Sequence, residues 1–120
     1  MKSILIEENG EEWNAYNSLL LEPKNLGIFT NELALKIVLG LSKKPGCAMD
    51  LARKLGVDEQ RIYYHLRKLE KAGIVKLMGT EMRYGMTAKI YQAVSPVVSA
   101  KLYEDGHRIV DRSSFKDPKS

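Results

Sequence analysis

The segment Asp58–Gly73, DEQRIYYHLRKLEKAG, admits few structures other than an amphipathic helix. At 3.6 residues per turn, Ile62, Leu66 and Leu69 fall on one stripe, flanked by His65 and ended by Gly73. The opposite side carries Gln60, Tyr64, Arg67 and Lys71, with Arg61, Tyr63 and Lys68 at its shoulders. A helix with an aliphatic back and a front of hydrogen-bonding and cationic groups suits a groove of DNA. Asp58 reads as its N-cap, but the third helical position holds Arg61 where a capping box would place Glu or Gln. A cation there opposes the helix dipole at a cost of about 0.3–1 kcal/mol. That suits a residue kept for a partner, the plain alternative being a solvated arginine on a tolerant surface.

What precedes this segment gives it a scaffold. In CAMDLARKLGVD, Ala48, Leu51, Ala52 and Leu55 recur at i, i+3, i+4 and i+7, and Gly56 supplies a tight turn before Asp58. Two helices joined there make a helix-turn-helix. Upstream, a further helix is predicted from Asn31, with Leu33, Ile37, Val38 and Leu41 on one side and Lys43, Lys44 and Pro45-Gly46 at its end. Cys47 stands where the middle helix would be capped. Ser or Thr would cap better, and the residue reads as a small buried cysteine in preference to a reactive thiol.

Beyond Gly73 the period changes to that of strands. Ile74 to Met78 and Thr87 to Val94 read as a hairpin around a loop from Gly79 to Gly85 that contains Thr80, Arg83 and Tyr84. After such a helix, a hairpin with a basic, glycine-bounded tip is a wing. It would lay Arg83, and Lys89 from its return strand, against phosphates or a neighbouring minor groove. A purely structural hairpin is the other reading.

The ends are less patterned. Met1 to Glu8 reads as a short strand before the Asn9-Gly10 turn signal. From Glu11 to Glu22, Trp13, Tyr16 and Leu19 to Leu21 recur at helical spacing before Pro23, which predicts a helix and a candidate dimer contact. After Pro96, Asp105-Gly106 is a hairpin signal, and Ser113 to Ser120 is expected to be loose. The predicted organisation is an N-terminal arm over 1–30, a winged helix-turn-helix domain over 31–95, and a C-terminal hairpin and tail over 96–120. The class is α+β, mainly helical. An ending of this kind also suits the front part of a longer protein.

Charge follows the same division. Met1 to Glu32 carries about two Lys against six Glu, whereas Leu33 to Val94 carries about twelve Lys or Arg against five acids. Basic charge concentrated on the middle segment is what a polyanion binder shows, since each neutralised phosphate releases counterions. One cysteine and two histidines offer no metal-ligand spacing, and no Ser/His/Asp set, phosphate-binding glycine loop or carboxylate pair appears. Neither an enzyme nor a cofactor is expected. No apolar run spans a membrane and the acidic start is unlike a signal peptide, so a cytoplasmic protein is expected.

From about Glu32 to Val94 the chain resembles the winged-helix domain of the ArsR-type transcriptional regulators, particularly archaeal members. The residues that carry the resemblance are MDLARKLGVDEQRIYYHLRKLEKAGIV and the later TAKIYQAV. The resemblance implies a homodimer that sets one recognition helix per subunit, here 58–72, in successive major grooves of double-stranded DNA, with the wing, 79–89, on the backbone. Metal-sensing members carry a Cys-Val-Cys type motif in the helix equivalent to Cys47–Leu55; a lone cysteine does not supply it. In this arrangement Gln60 would pair with adenine, Arg61 or Arg67 with guanine, and Tyr63 and Tyr64 with thymine methyls or phosphates. Lys43, Lys44, Arg53, Lys68, Thr80, Arg83 and Lys89 would contact the backbone. The expected role is a transcriptional regulator, a repressor by family analogy. The alternatives are a winged-helix protein-interaction module and a sequence-neutral chromatin-binding protein.

Overall fold

The computed structural model describes residues 2–100, which fall into two units. The Asp105-Gly106 hairpin and the loose tail predicted after it lie outside the described residues. The first unit comprises Met1–Leu26 and the segment from Ser95 onward, and the second is Gly27–Val94.

The first unit is a three-stranded sheet of order β1 (Lys2–Asn9), β2 (Glu12–Leu21) and β5 (Val98–Ala100). β1 and β2 are antiparallel, Lys2 opposite Leu19 and Asn9 opposite Glu12, so the loop is Gly10-Glu11. Gly10 holds a φ of +67°, which a residue without a Cβ adopts at little cost. The helix expected over Glu11 to Glu22 is therefore a strand. Trp13, Tyr16 and Leu20 satisfy a helical period, but Asn14, Asn17 and Ser18 compete for backbone hydrogen bonds and are weak helix formers. The helix would also strand β1 without a partner, leaving its backbone groups unpaired. β2 gains two partners, pairing in parallel with β5 through Leu19 and Val98, while Ser18 Oγ donates to Ser99 Oγ at 2.9 Å. The stretches read separately as an arm and a C-terminal extension thus share one sheet, which raises the strand content of the chain.

A 3-10 segment, Pro23–Thr30, occupies the stretch between Glu22 and Asn31. The second unit then follows the predicted order of α1 (Glu32–Lys43), α2 (Ala48–Leu55), α3 (Glu59–Lys71), β3 (Val75–Arg83) and β4 (Met86–Ala93). Asn31 caps α1, its side chain accepting from the Ala34 N–H at 3.0 Å. Ile37, Val38 and Leu41 of α1 are buried, as are Leu51 and Ala52 of α2 and Ile62, Leu66 and Leu69 of α3. Gly56 ends α2 with a φ of +68°, and the Val57 N–H reaches back to the Ala52 carbonyl at 3.1 Å. That left-handed residue makes the turn of the helix-turn-helix. α3 closes in a Schellman motif, the Ile74 N–H donating to the Leu69 carbonyl and the Gly73 N–H to the Glu70 carbonyl.

The hairpin differs from its expected form. β3 and β4 stay paired as far as Arg83 and Met86, so the loop is only Tyr84-Gly85, with φ of 54° and 77°. Positive φ at both central residues is the demand of a type I′ turn, whose twist matches the strands it joins. Gly79, read as one edge of a loop, lies inside β3 beside an irregularity between Leu77 and Gly79. There Met78 is the extra residue. A single antiparallel bridge joins Gly46 to Tyr91, with N–H to carbonyl distances of 2.9 and 2.8 Å in the two directions. The connection between α1 and α2 is thereby fastened to the wing. The result is a winged helix-turn-helix.

Candidate nucleic-acid interface

Burial divides α3 as its sequence period requires. Ile62, Leu66 and Leu69 are enclosed, which turns Gln60, Arg61, Tyr64, Arg67 and Lys68 to the exposed side. Tyr64 is 54% exposed, and the Lys68 ammonium lies 4.5 Å from its ring centroid. Tyr63 stands apart from this front. It is half-buried, and it acts electrostatically, with Glu70 and Arg67, on the buried Tyr91 of β4. Burial first, then Glu70 and Tyr63, push the Tyr91 phenol above its ordinary value, against an opposing pull from Arg67.

The helix ends depart from the expected caps. Asp58 occupies the N-cap position of α3 but its side chain makes no capping hydrogen bond; its carbonyl instead accepts from the Arg61 N–H at 3.1 Å. Glu59 places a carboxylate in the same first turn as Arg61, which eases the dipole conflict. Cys47 at the N-cap of α2 also makes no side-chain capping bond, and it is buried.

The candidate backbone contacts divide into exposed and engaged groups. Lys43, Lys44, Lys68, Thr80 and Lys89 are exposed. Arg53 is engaged with the wing tip: its Nη1 donates to Tyr84 Oη at 2.8 Å and its guanidinium carbon lies 4.4 Å from the ring centroid. Arg83 is engaged with two carboxylates, Asp50 Oδ2 at 2.7 Å and Glu81 Oε2 at 2.9 Å. The hydrogen bond to Glu81 and then the charge of Asp50 hold its guanidinium above the usual arginine value. Asp50, Tyr84 and Tyr91 were not singled out by sequence reasoning as parts of a site. Asp50 lies in the first turn of α2, and its partner is 33 residues away.

His65 sits on the flank of the buried stripe, edge-on to Tyr64 with ring centroids 5.2 Å apart. Burial, then the charges of Lys68 and Arg61, lower its pKa below 6.5. A histidine whose folded pKa is depressed leaves stability intact above its unfolded value and removes it as pH falls toward the folded one. Melting temperature is therefore expected to fall from pH 7.5 to pH 5, and His65→Asn is expected to flatten part of that slope. A slope identical in the variant would assign the acid sensitivity to other groups.

Residues 31–76 match the family model described as bacterial regulatory protein, arsR family, a match that covers less than half of the chain. No curated protein sequence matches the chain. Among solved structures, reduced HlyU from Vibrio cholerae N16961 is 22% identical, with a TM-score of 0.48 over 59% of this chain and 70% of that one. NolR from Sinorhizobium fredii is 25% identical, with the same TM-score, over 59% and 66%. The transcriptional regulator HlyU from Vibrio vulnificus CMCP6 is 24% identical, again at 0.48, over 59% and 69%. The matched segment runs from the N-cap of α1 to the start of β3, the helix-turn-helix part of the second unit, and is similar there to that family of regulatory proteins. Among the described residues no helix is long and apolar enough to cross a membrane, and no group of three His, Cys, Asp or Glu is placed to hold a metal ion.

Proposed function

We propose that the chain is a sequence-specific regulator that binds double-stranded DNA as a homodimer, with α3 of each subunit in the major groove and the wing alongside on the backbone, acting as a repressor. The observation that carries this is the two-sided character of α3: an enclosed aliphatic stripe fixes the helix, so Gln60, Arg61, Tyr64 and Arg67 all reach solvent on a basic unit. Gln and Arg are side chains that pair bidentately with adenine and guanine, and Tyr64 adds an apolar surface for a thymine methyl. Lys43, Lys44 and Lys68 supply cations that neutralise phosphates and set the register of the helix.

The test is selection of bound duplexes from random DNA at a stated salt concentration, followed by binding to the winner and to a scrambled duplex across a salt series. A two-fold symmetric motif with half-sites about 10 bp apart is expected, bound at least about a thousandfold more tightly than scrambled DNA. Salt-dependent binding without a motif would make the protein a sequence-neutral chromatin component. A second reading has its own support, because Met78, Met82, Tyr84 and Met86 expose a concentration of apolar surface on the wing. Failure to bind DNA even at low salt would favour a docking module that uses that surface.

A further inference from the structure

Two contacts join the wing to α2, and they run in opposite directions. Arg83, at the end of β3, reaches Asp50 on α2 at 2.7 Å and keeps Glu81 at 2.9 Å. Arg53 of α2 reaches back to Tyr84 at the tip, with a hydrogen bond of 2.8 Å. Asp50 and Arg53 are three apart and so share one face of their helix. The guanidinium with its two carboxylates carries a net negative charge, so a phosphate brought to Arg83 would meet Asp50 and Glu81 as well. That makes the Arg83 side of the hairpin an unfavourable place for a DNA backbone.

The other side of the hairpin is different. Register sets Thr80 opposite Lys89 and Met82 opposite Thr87, alternating with the side that holds Glu81 and Arg83. All four are exposed, Met82 to 69%, and none is acidic. A cation and two hydroxyls are phosphate and sugar contacts, and a methionine among them is an apolar group of the kind pressed into a minor groove.

We propose that Arg83 is a positioning residue, a latch that fixes the wing against α2, and that the wing meets DNA with its Thr80, Met82, Thr87 and Lys89 side. This rests on the DNA-binding reading above and replaces Arg83 as a phosphate contact.

The test uses the full chain and its selected duplex, with affinity measured across a salt series and hydrogen exchange of the wing amides measured without DNA. Each phosphate contact contributes about 0.9 to the slope of log K against log salt. Lys89→Gln is expected to lower the slope by about that amount. Arg83→Gln is expected to weaken binding several-fold at an unchanged slope and to speed exchange in the wing, and Met82→Ala to weaken binding without touching slope or exchange. Exchanging the latch partners, Asp50→Arg with Arg83→Asp, is expected to restore slow exchange and recover part of the affinity. A lower slope in Arg83→Gln with no recovery in the exchanged pair would overturn the proposal, as would unchanged affinity in both Arg83→Gln and Met82→Ala. Wild-type protein that binds no DNA would overturn the functional reading itself, and this inference with it.

Discussion

Leu66→Ala is expected to destabilise the winged unit by about 2–5 kcal/mol, the range for emptying a fully enclosed leucine site. Leu66 is 1% exposed on a helix whose neighbouring stripe residues, Ile62 and Leu69, are fully enclosed. In a close-packed interior the surroundings relax only in part, so the lost contacts and the cavity both count. A domain of this size has a total stability of about 5–15 kcal/mol, so a substantial fraction is removed. Thermal or urea unfolding followed through the helical signal measures the effect. A change below about 1 kcal/mol would show that the stripe is not the element that seats α3.

The second large effect lies one residue further on and is expected to leave stability nearly untouched. Arg67 is exposed on the opposite side of the helix from Leu66 and Leu69. Arg67→Ala is expected to weaken binding to the selected duplex by about 1–3 kcal/mol, roughly five- to 150-fold, with little change in melting temperature. Binding to scrambled DNA should fall much less, because a base contact discriminates between sequences and a phosphate contact does not. Equal losses on both duplexes would make Arg67 a backbone contact and pass the base-reading role to Gln60 and Arg61. Together the two substitutions separate what α3 does for the fold from what it does at its exposed surface.

How legible such features are in the chain depends on their range. The three helices of the winged unit, the glycine turn and the exposure of Gln60, Arg61, Tyr64 and Arg67 on α3 follow from residues a few positions apart, and the structure agrees with them, whereas Tyr63 does not join that front. β2 is not legible locally, because aromatic and leucine spacing in a ten-residue window fits two periods, and the partners that decide between them, β1 and β5, act from outside the window. The sequence suggests too long a wing loop because Gly79 and Gly85 carry the same local signal; only pairing across the hairpin shows that one lies beside a strand irregularity and the other in the turn. Arg83 was legible as a cation in a wing, but not as a cation held by Asp50. Ion pairs between distant positions leave no periodicity, so the engaged and the exposed arginines look alike in sequence.

The parallel pairing of β2 with β5 imposes an order on how the chain folds. The pairs from Leu19 with Val98 to Leu21 with Ala100 bracket the whole winged unit. An unfolded chain would have to close that entire intervening loop before gaining a short ladder, and closure entropy delays such distant contacts. The winged unit draws its own helices together through contacts much nearer in sequence. The third strand is therefore expected to join its sheet after the helix-turn-helix has formed.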